Sequence, residues 1–524
     1  MRSLGQHLLK RLLGRPLPDQ PDALPRPPSV DELDGLFAAV VDGRTEDSER
    51  LAFALLSIDK AGSPELQAAA EEALRHTDPR VWMTLDVAAR RSWWHAPAWS
   101  RTVMELLAEG EPGTLTLVIA SCHHDGYVRE AAVARLAEIK DPAAVPALAL
   151  RATDWVDEVR SRARLALEQQ LDRSPATTVG IAAPVALLLG DRDRGRWLTE
   201  RLRDLLRTAD PDVLASVRAA ADGRTRREGF SASIERNVLS LDDLIQSART
   251  DHDLPLRRMC ARAAVSTARA DNRQDALRPL LQSGTASVRA DVLQALGEMA
   301  AAQSALADVN PLVRAVAQAI TRRGGQDVRD TYVEMISTAP TAGAVAGLGE
   351  VGQSDDSQLL LPLLADPLAP VRAEAVRALR RLGRATVDLL FPMLSDESAR
   401  VARQAAQALR PIVAQVDLEA LRSLVDAENQ RHTRTAAYRL LRERDIYVRL
   451  VVDLQLLNDS TSELAARAKA DIQDWLTRVA PTAYEPPSGA LREELAQRLA
   501  QEQARLGPAV TRTLRFHLRL PGTA

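Results

Sequence analysis

The sequence predicts an all-α fold, a right-handed superhelical α-solenoid of stacked antiparallel helix pairs. Three observations carry this. First, a Val-Arg step followed by small apolar residues recurs near every thirty residues, as in Val288-Arg289-Ala290-Asp291-Val292-Leu293 and Val371-Arg372-Ala373-Glu374-Ala375-Val376. Second, alanine and leucine dominate and aromatic residues are only 3% of the chain, a composition that favours helix and lets helices approach closely. Third, 524 residues exceed what one ordinary core organises, so the chain is either several domains or an extended repeat array.

Residues 1–30 are set apart from the array. Arg2, Lys10, Arg11 and Arg15 are basic, and Leu4, Leu8, Leu9, Leu12 and Leu13 fall at helical spacing. Residues 1–15 thus read as a cap helix or a weak peripheral membrane contact. The prolines from Pro16 to Pro28 make the following stretch a linker.

Helical periodicity starts at Asp31. Residues 31–171 form the first set of repeats, with early hairpins over Asp31 to Asp59 and Pro64 to Trp94, then a helix from Tyr127. Asp141-Pro142 opens the next helix, because proline is tolerated in a first turn. Arg129 and Arg160 stand thirty-one residues apart. Residues 172–240 read as an irregular region with inserts. Pro175, Gly180 and Pro184 interrupt the pattern, and the stretch from Gly223 to Asn237 reads as a loop bearing Arg224, Arg226, Arg227 and Arg236. Residues 241–479 resume the array: Arg257 and Arg289 are thirty-two residues apart, Arg314 follows twenty-five later, and Val371 and Val401 are thirty apart, with Ala402 where arginine is expected. Residues 480–524 form a cap or tail, with one helix over Gly489 to Leu506 and a strand or helix over Val510 to Leu520.

The segment Asp366-Pro367-Leu368-Ala369-Pro370-Val371-Arg372, together with Asp141-Pro142 and Val159-Arg160, resembles HEAT repeats of the bacterial, lyase-associated type within the HEAT/armadillo class. That resemblance implies a ladder of Asp and Arg side chains along the spine. Arg129, Arg160, Arg257, Arg289, Arg314 and Arg372 would supply the bases, and Asp125, Asp154 and Asp366 the acids. Val156-Asp157-Glu158 looks inserted between Asp154 and Arg160, and Ala402 breaks the ladder. The resemblance implies mostly scaffolds and adaptors.

For function, four of the seven tryptophans (Trp82, Trp93, Trp94 and Trp99) lie within eighteen residues, among Arg90, Arg91 and His95. Arg90, Arg91, Trp93, Trp94, His95 and Trp99 are therefore the binding candidates, since rings beside arginine stack bases or hold peptides. Cys122-His123-His124 does not make a metal site: adjacent helical residues diverge by about 100°, and no second cysteine is near. Gly347-Leu348-Gly349 follows a helical stretch and not a strand, so it is no phosphate loop. No catalytic constellation and no cofactor is expected. With 68 basic and 71 acidic residues interspersed, a dedicated nucleic-acid binder is disfavoured. Two unpaired cysteines and no transmembrane stretch suggest a cytoplasmic protein. The expected function is a non-catalytic protein-interaction scaffold presenting an extended concave surface. The alternative is a nucleic-acid-binding or base-modifying protein using the Trp/Arg-rich region.

Overall fold

The computed structural model describes residues 24–41, 43, 45–90, 99–108, 111–460 and 462–521; residues 1–15 and the segment 91–98 lie outside them. Every regular element among the described residues is helical. The chain divides into two compact units, Met1–Asp271 and Asn272–Ala524.

In the first unit, helices pack in chain order. Thr114–Ser121 lies on Gly126–Leu136, Val145–Arg151 on Asp157–Arg173, Pro211–Arg218 on Gly223–Glu235, and Leu241–Thr250 on Leu254–Ala270. Each start is written locally. Asp125, Asp222 and Asp253 accept hydrogen bonds from the first free backbone amides of their helices, and Ser240 with Asp243 forms a capping box. Pro175 and Pro211 sit in first turns, where the missing N–H costs nothing. One core runs from Leu33 to Ala232 and is built mostly of leucine, valine and alanine.

In the second unit, over residues 357–441, the first element of each pair is short, often a single turn, and the second is longer. The second helices Ala342–Val351, Ala369–Arg381, Ala399–Leu409 and Arg431–Leu441 pack on one another in succession. Close approach depends on residues without bulk: a Cβ at Gly343 would lie 1.9 Å from the Ala307 carbonyl oxygen. The helices Ile446–Leu456, Ser462–Asp474, Gly489–Leu506 and Pro508–His517 follow.

Three of the recurring arginines, Arg129, Arg289 and Arg372, make the same two contacts. Arg129 donates through Nη1 to the His123 carbonyl, six residues back, at 2.9 Å. Its Nε and Nη2 grip the Asp154 carboxylate, both at 2.9 Å. Arg289 does the same with the Ser283 carbonyl and Asp308, and Arg372 with the Asp366 carbonyl and Asp396. The aspartate works in both directions. Asp154 and Asp308 accept the previous unit's arginine on their carboxylates, and offer their own carbonyls to Arg160 at 2.8 Å and Arg314 at 2.7 Å. Asp251 likewise takes Arg226 on its carboxylate and Arg257 on its carbonyl. Each of these carboxylates also accepts the backbone amide two residues on, which fixes the turn.

Several expectations are corrected. The step from aspartate to arginine is six residues at Asp154, Asp251, Asp308 and Asp366, so Val156-Asp157-Glu158 is regular spacing and not an insertion. Asp125 caps its helix and takes no part in the arginine's grip. Two arginines depart from the rule: Arg160 pairs with Asp157 of its own helix, and Arg314 binds Glu350 of the helix Ala342–Val351. The expected interruption after Asp172 is the helix Pro175–Leu189, with Pro184 inside it and most side chains buried. The expected basic loop is the helix Gly223–Glu235, whose Arg226 and Arg227 are bound to Asp251 and Asp253, and Arg236 just beyond it to the Ala209 carbonyl. The tail over Val510 to Leu520 is helical, not a strand. Where Ala402 leaves the Asp396 carbonyl without its arginine, His432 supplies a donor, Nε2 standing 2.8 Å away.

Asp154 and Arg129 are both fully buried. Asp154→Ala strands Arg129 and Arg151 and should cost roughly 3–5 kcal/mol in urea unfolding, whereas Asp125→Ala removes only a cap and should cost about 1 kcal/mol. Equal losses would show that the ladder is not what holds these turns. Gly343→Ala should destabilise by about 1–3 kcal/mol in the same assay, because the opposing atom is backbone and cannot rotate away.

Candidate functional site

The tryptophan region does not form a binding surface where it is described. Trp82 is 1% exposed and Trp99 4%, and both belong to the first unit's core. Trp99 is thus corrected from a binding candidate to a core residue. Its ring meets His123 edge-on at 6.0 Å. Arg90 ends the helix Pro79–Arg90. Arg91, Trp93, Trp94 and His95, and the Arg90 side chain, lie outside the described residues.

His123 and Ser100 are 2.5 Å apart through Nε2 and Oγ, which superficially suggests a base and a nucleophile. The second ring nitrogen decides otherwise. His123 Nδ1 accepts from the Asp125 amide at 3.0 Å. In a neutral ring the proton then sits on Nε2, which donates to Ser100 and cannot take its proton. Burial above all, then His124 and Arg129, pushes the His123 pKa down to about 3, so the ring is neutral. Arg151, also fully buried, joins Asp154 at 2.7 Å and Asp86. Burial alone would raise Asp154, but the Arg129 and Arg151 guanidinia outweigh it and hold its pKa below the usual carboxylate range. These groups form a structural ion network. Cys122 and Cys260 are free and buried, and burial pushes the Cys260 thiol up to about 12.

The second unit carries three further features. The first is the outward face of its stacked second helices. Counting from the spine position of each unit (Arg372, Ala402, Arg434), residues one, five and eight further on project at about 100°, 140° and 80° around the helix, hence on one face. Those positions hold the buried Ala373 and the half-buried Arg377 and Arg380, then Arg403, Gln407 and Arg410, then Thr435, Arg439 and Arg442. Arg403, Gln407, Arg410, Arg439 and Arg442 are exposed. Ion pairs cross between neighbouring helices: Arg381 to Glu350 at 3.4 Å, Arg400 to Glu374 at 3.0 Å and Arg410 to Glu443 at 2.7 Å. The faces are therefore contiguous. The second feature is a cleft of about 480 Å³ between successive short first helices, lined by Asp355, Gln358, Leu361, Arg384, Thr386 and Leu389.

The third is a buried carboxylate pair. Asp453 is fully buried and accepts from the Tyr438 hydroxyl at 2.5 Å, while its Oδ2 is buried without a hydrogen-bond donor. Asp471 is gripped by Arg442 at 2.8 Å and Arg449 at 2.7 Å. Burial, then the Asp471 charge, pushes the Asp453 pKa up to about 8, against the pull of Tyr438 and Arg449. Asp453 therefore holds a proton at neutral pH.

None of these three features was found from the sequence. The arginine face had a signal, the return of arginine five and eight residues after the spine position in neighbouring units. Asp453 had another, a lone acid inside Leu450-Val451-Val452-Asp453-Leu454.

Among the described residues, no group of three or more His, Cys, Asp and Glu side chains is arranged to hold a metal ion, and no helix is long and apolar enough to cross a membrane.

Residues 357–442 match the family model described as HEAT repeats. No curated protein is significantly similar to this chain in sequence. Among solved structures, the complex of CpcE and CpcF of phycocyanin lyase from Nostoc sp. PCC7120 is 22% identical, over 50% of this chain and 93% of that one, with a TM-score of 0.18. Kap95p, whose binding induces the switch loops of RanGDP to adopt the GTP-bound conformation, is 15% identical over 99% of this chain and 72% of that one, with a TM-score of 0.32. Importin beta is 14% identical over 93% of this chain and 64% of that one, with a TM-score of 0.24. Superpositions this loose add nothing to the fold class. The chain's own helix pairs and the family-model match define a HEAT/armadillo-like α-solenoid fold.

The Asp453 pair gives a pH signature. An unfolded aspartate titrates near pH 4, so between about pH 4 and pH 8 the folded state holds a proton that the unfolded state has lost, and stability falls as pH rises through that window. Asp453→Asn removes the titrating group while keeping its shape. Denaturant unfolding should show the variant gaining on the native chain from pH 5 to pH 8, by at most about 1.4 kcal/mol per pH unit. Parallel pH curves would show that Asp453 ionises normally.

Proposed function

We propose that the chain is a non-catalytic scaffold that binds a protein partner through the outward face of its stacked helices. The observation that carries this reading is the contiguous face of the second unit, whose exposed arginines exceed what the helix-to-helix ion pairs consume. A rigid, side-chain-studded helix wall suits a macromolecular partner better than a small molecule. The buried titratable groups support the reading from the other side. His123, Arg151, Asp154 and Asp471 are each held by neighbours in ways that complete the fold.

The finer kinship we assign is to the lyase-associated type of HEAT repeat, on the Asp-Pro opening and the Val-Arg step of residues 366–372. Two buried free thiols are consistent with a cytoplasmic location. The nucleic-acid alternative rests on Arg90, Arg91, Trp93 and Trp94, whose side chains lie outside the described residues, and the neighbouring Trp82 and Trp99 are core residues.

Affinity isolation of the full chain, with and without nuclease, tests the scaffold reading. A protein retained in stoichiometric amount under both conditions is the expected result. Loss of every partner after nuclease, or no partner at all, would overturn it.

A further inference from the structure

We infer that the buried carboxylates of the second unit form a proton-controlled switch. When Asp453 ionises, Arg449 turns to it from Asp471 and Asp474, and the end of the helix Ser462–Asp474 is released from Ile446–Leu456.

The placement of one arginine carries this. Arg449 and Asp453 stand four residues apart on Ile446–Leu456, the spacing at which opposite charges meet on one helix face. Yet Arg449 is committed to the neighbouring helix. Its Nε is 2.7 Å and its Nη2 2.5 Å from Asp471, and Nη2 also reaches Asp474 at 3.0 Å. Asp453 accepts only the Tyr438 hydroxyl, at 2.5 Å on one oxygen, and its buried Oδ2 has no hydrogen-bond partner. That arrangement suits a neutral carboxyl group beside a charged Asp471. It does not suit a second carboxylate, because a buried charge left unpaired is costly.

The surrounding groups leave Arg449 as the cation that can answer. Arg431–Leu441 and its cap present Tyr438, already bonded, and Arg442, which holds both oxygens of Asp471. Ser462–Asp474 presents Asp471 and Asp474, and its Arg467 is turned to Glu463. Gly489–Leu506 packs on Ile446–Leu456 and buries the apolar Leu495 and Leu499 in the same core. Both carboxylates that Arg449 releases keep another cation, Asp471 through Arg442 and Asp474 through Arg478 at 3.1 Å. The exchange therefore strands no charge, but it removes the ion pairs by which Arg449 ties the two helices.

A second observation marks where the helix gives way. Directly after Asp474 the backbone winds into a π-helical turn, Trp475–Val479, closed by the Ala480 amide on the Trp475 carbonyl. Such turns are rare and concentrate at functional sites. Trp475 is fully buried and donates Nε1 to the Ile446 carbonyl at 3.0 Å, so the turn is held to the helix that carries Asp453.

The switch is distinct from the pH dependence of stability. Below about pH 8 the folded chain keeps the Asp453 proton, and stability falls there because the unfolded chain has lost it. The folded state itself changes only as Asp453 ionises, above about pH 8.

Hydrogen–deuterium exchange of the full chain tests the inference, read by mass spectrometry at pH 7 and pH 9 with labelling times scaled for the intrinsic rate. Residues 462–480 should lose protection at pH 9 by about tenfold, the ratio of ionised to protonated Asp453 one unit above its pKa. The helices from Ala286–Leu296 to Ala399–Leu409 should keep theirs. Asp453→Asn should stay protected at both pH values, and Arg449→Gln should expose the same residues already at pH 7. Four results would each overturn the switch: unchanged protection of the native chain, the same loss in Asp453→Asn, equal loss throughout the second unit, or native protection of Arg449→Gln at pH 7.

Discussion

One interaction organises both units: a guanidinium that bridges a carbonyl in its own unit and a carboxylate in the next. Burying a lone arginine is costly, because its charge and five N–H donors lose their water. Arg129 avoids that cost, as Nη1 meets the carbonyls of His123 and His124 while Nε and Nη2 meet Asp154. The same fork tells each helix where its predecessor ended. Apolar packing alone would let stacked helices slide by a turn with little penalty, since alanine and leucine fit many registers. The carboxylate cannot slide, because it also holds the amide two residues ahead of it.

That dual use of aspartate explains why the spacing of six residues is kept while the spacing between units drifts from nineteen to thirty-six. The turn and the first helical turn are rigid and local. The length of the first helix of each pair is free, so long as the next carboxylate arrives at the fork. At Glu350 the acid comes from a different place on the chain, a helix end instead of a turn, and Arg314 still closes on it. His432 at the Asp396 carbonyl shows the same tolerance for the donor.

The fold class was legible because Val-Arg recurs, and the two members of that step do separate jobs: Val371 is buried between helices and Arg372 closes the ladder. The partners were less legible. Asp396 is twenty-four residues from Arg372, and a sequence that pairs near neighbours puts Asp125 with Arg129 instead. Proline and glycine misled over residues 172–237 for a physical reason. Pro175 sits in a first turn and Gly223 follows a capping aspartate, so both are helix starts read as breaks. The tryptophans misled because ring content says nothing of direction; Trp82 and Trp99 point inward. The arginine face stayed hidden among some seventy acids that balance it in composition but not in space.

The division of labour between buried and exposed arginine follows from these constraints. A spine arginine is fixed by three or more hydrogen bonds and has nothing left to offer a partner. An arginine eight residues later lies on the outer side; there Arg410 and Arg442 still tie neighbouring helices together through Glu443 and Asp471, while Arg380 has no acid partner among the described residues. The helix period separates the two roles by about 80°, far enough that selection on one does not act on the other. Such an array can change what it binds by editing outward positions while its ladder stays intact. In the second unit the helices Ala369–Arg381 and Arg431–Leu441 carry both kinds of arginine, the ladder members Arg372 and Arg434 and the outward Arg380 and Arg439.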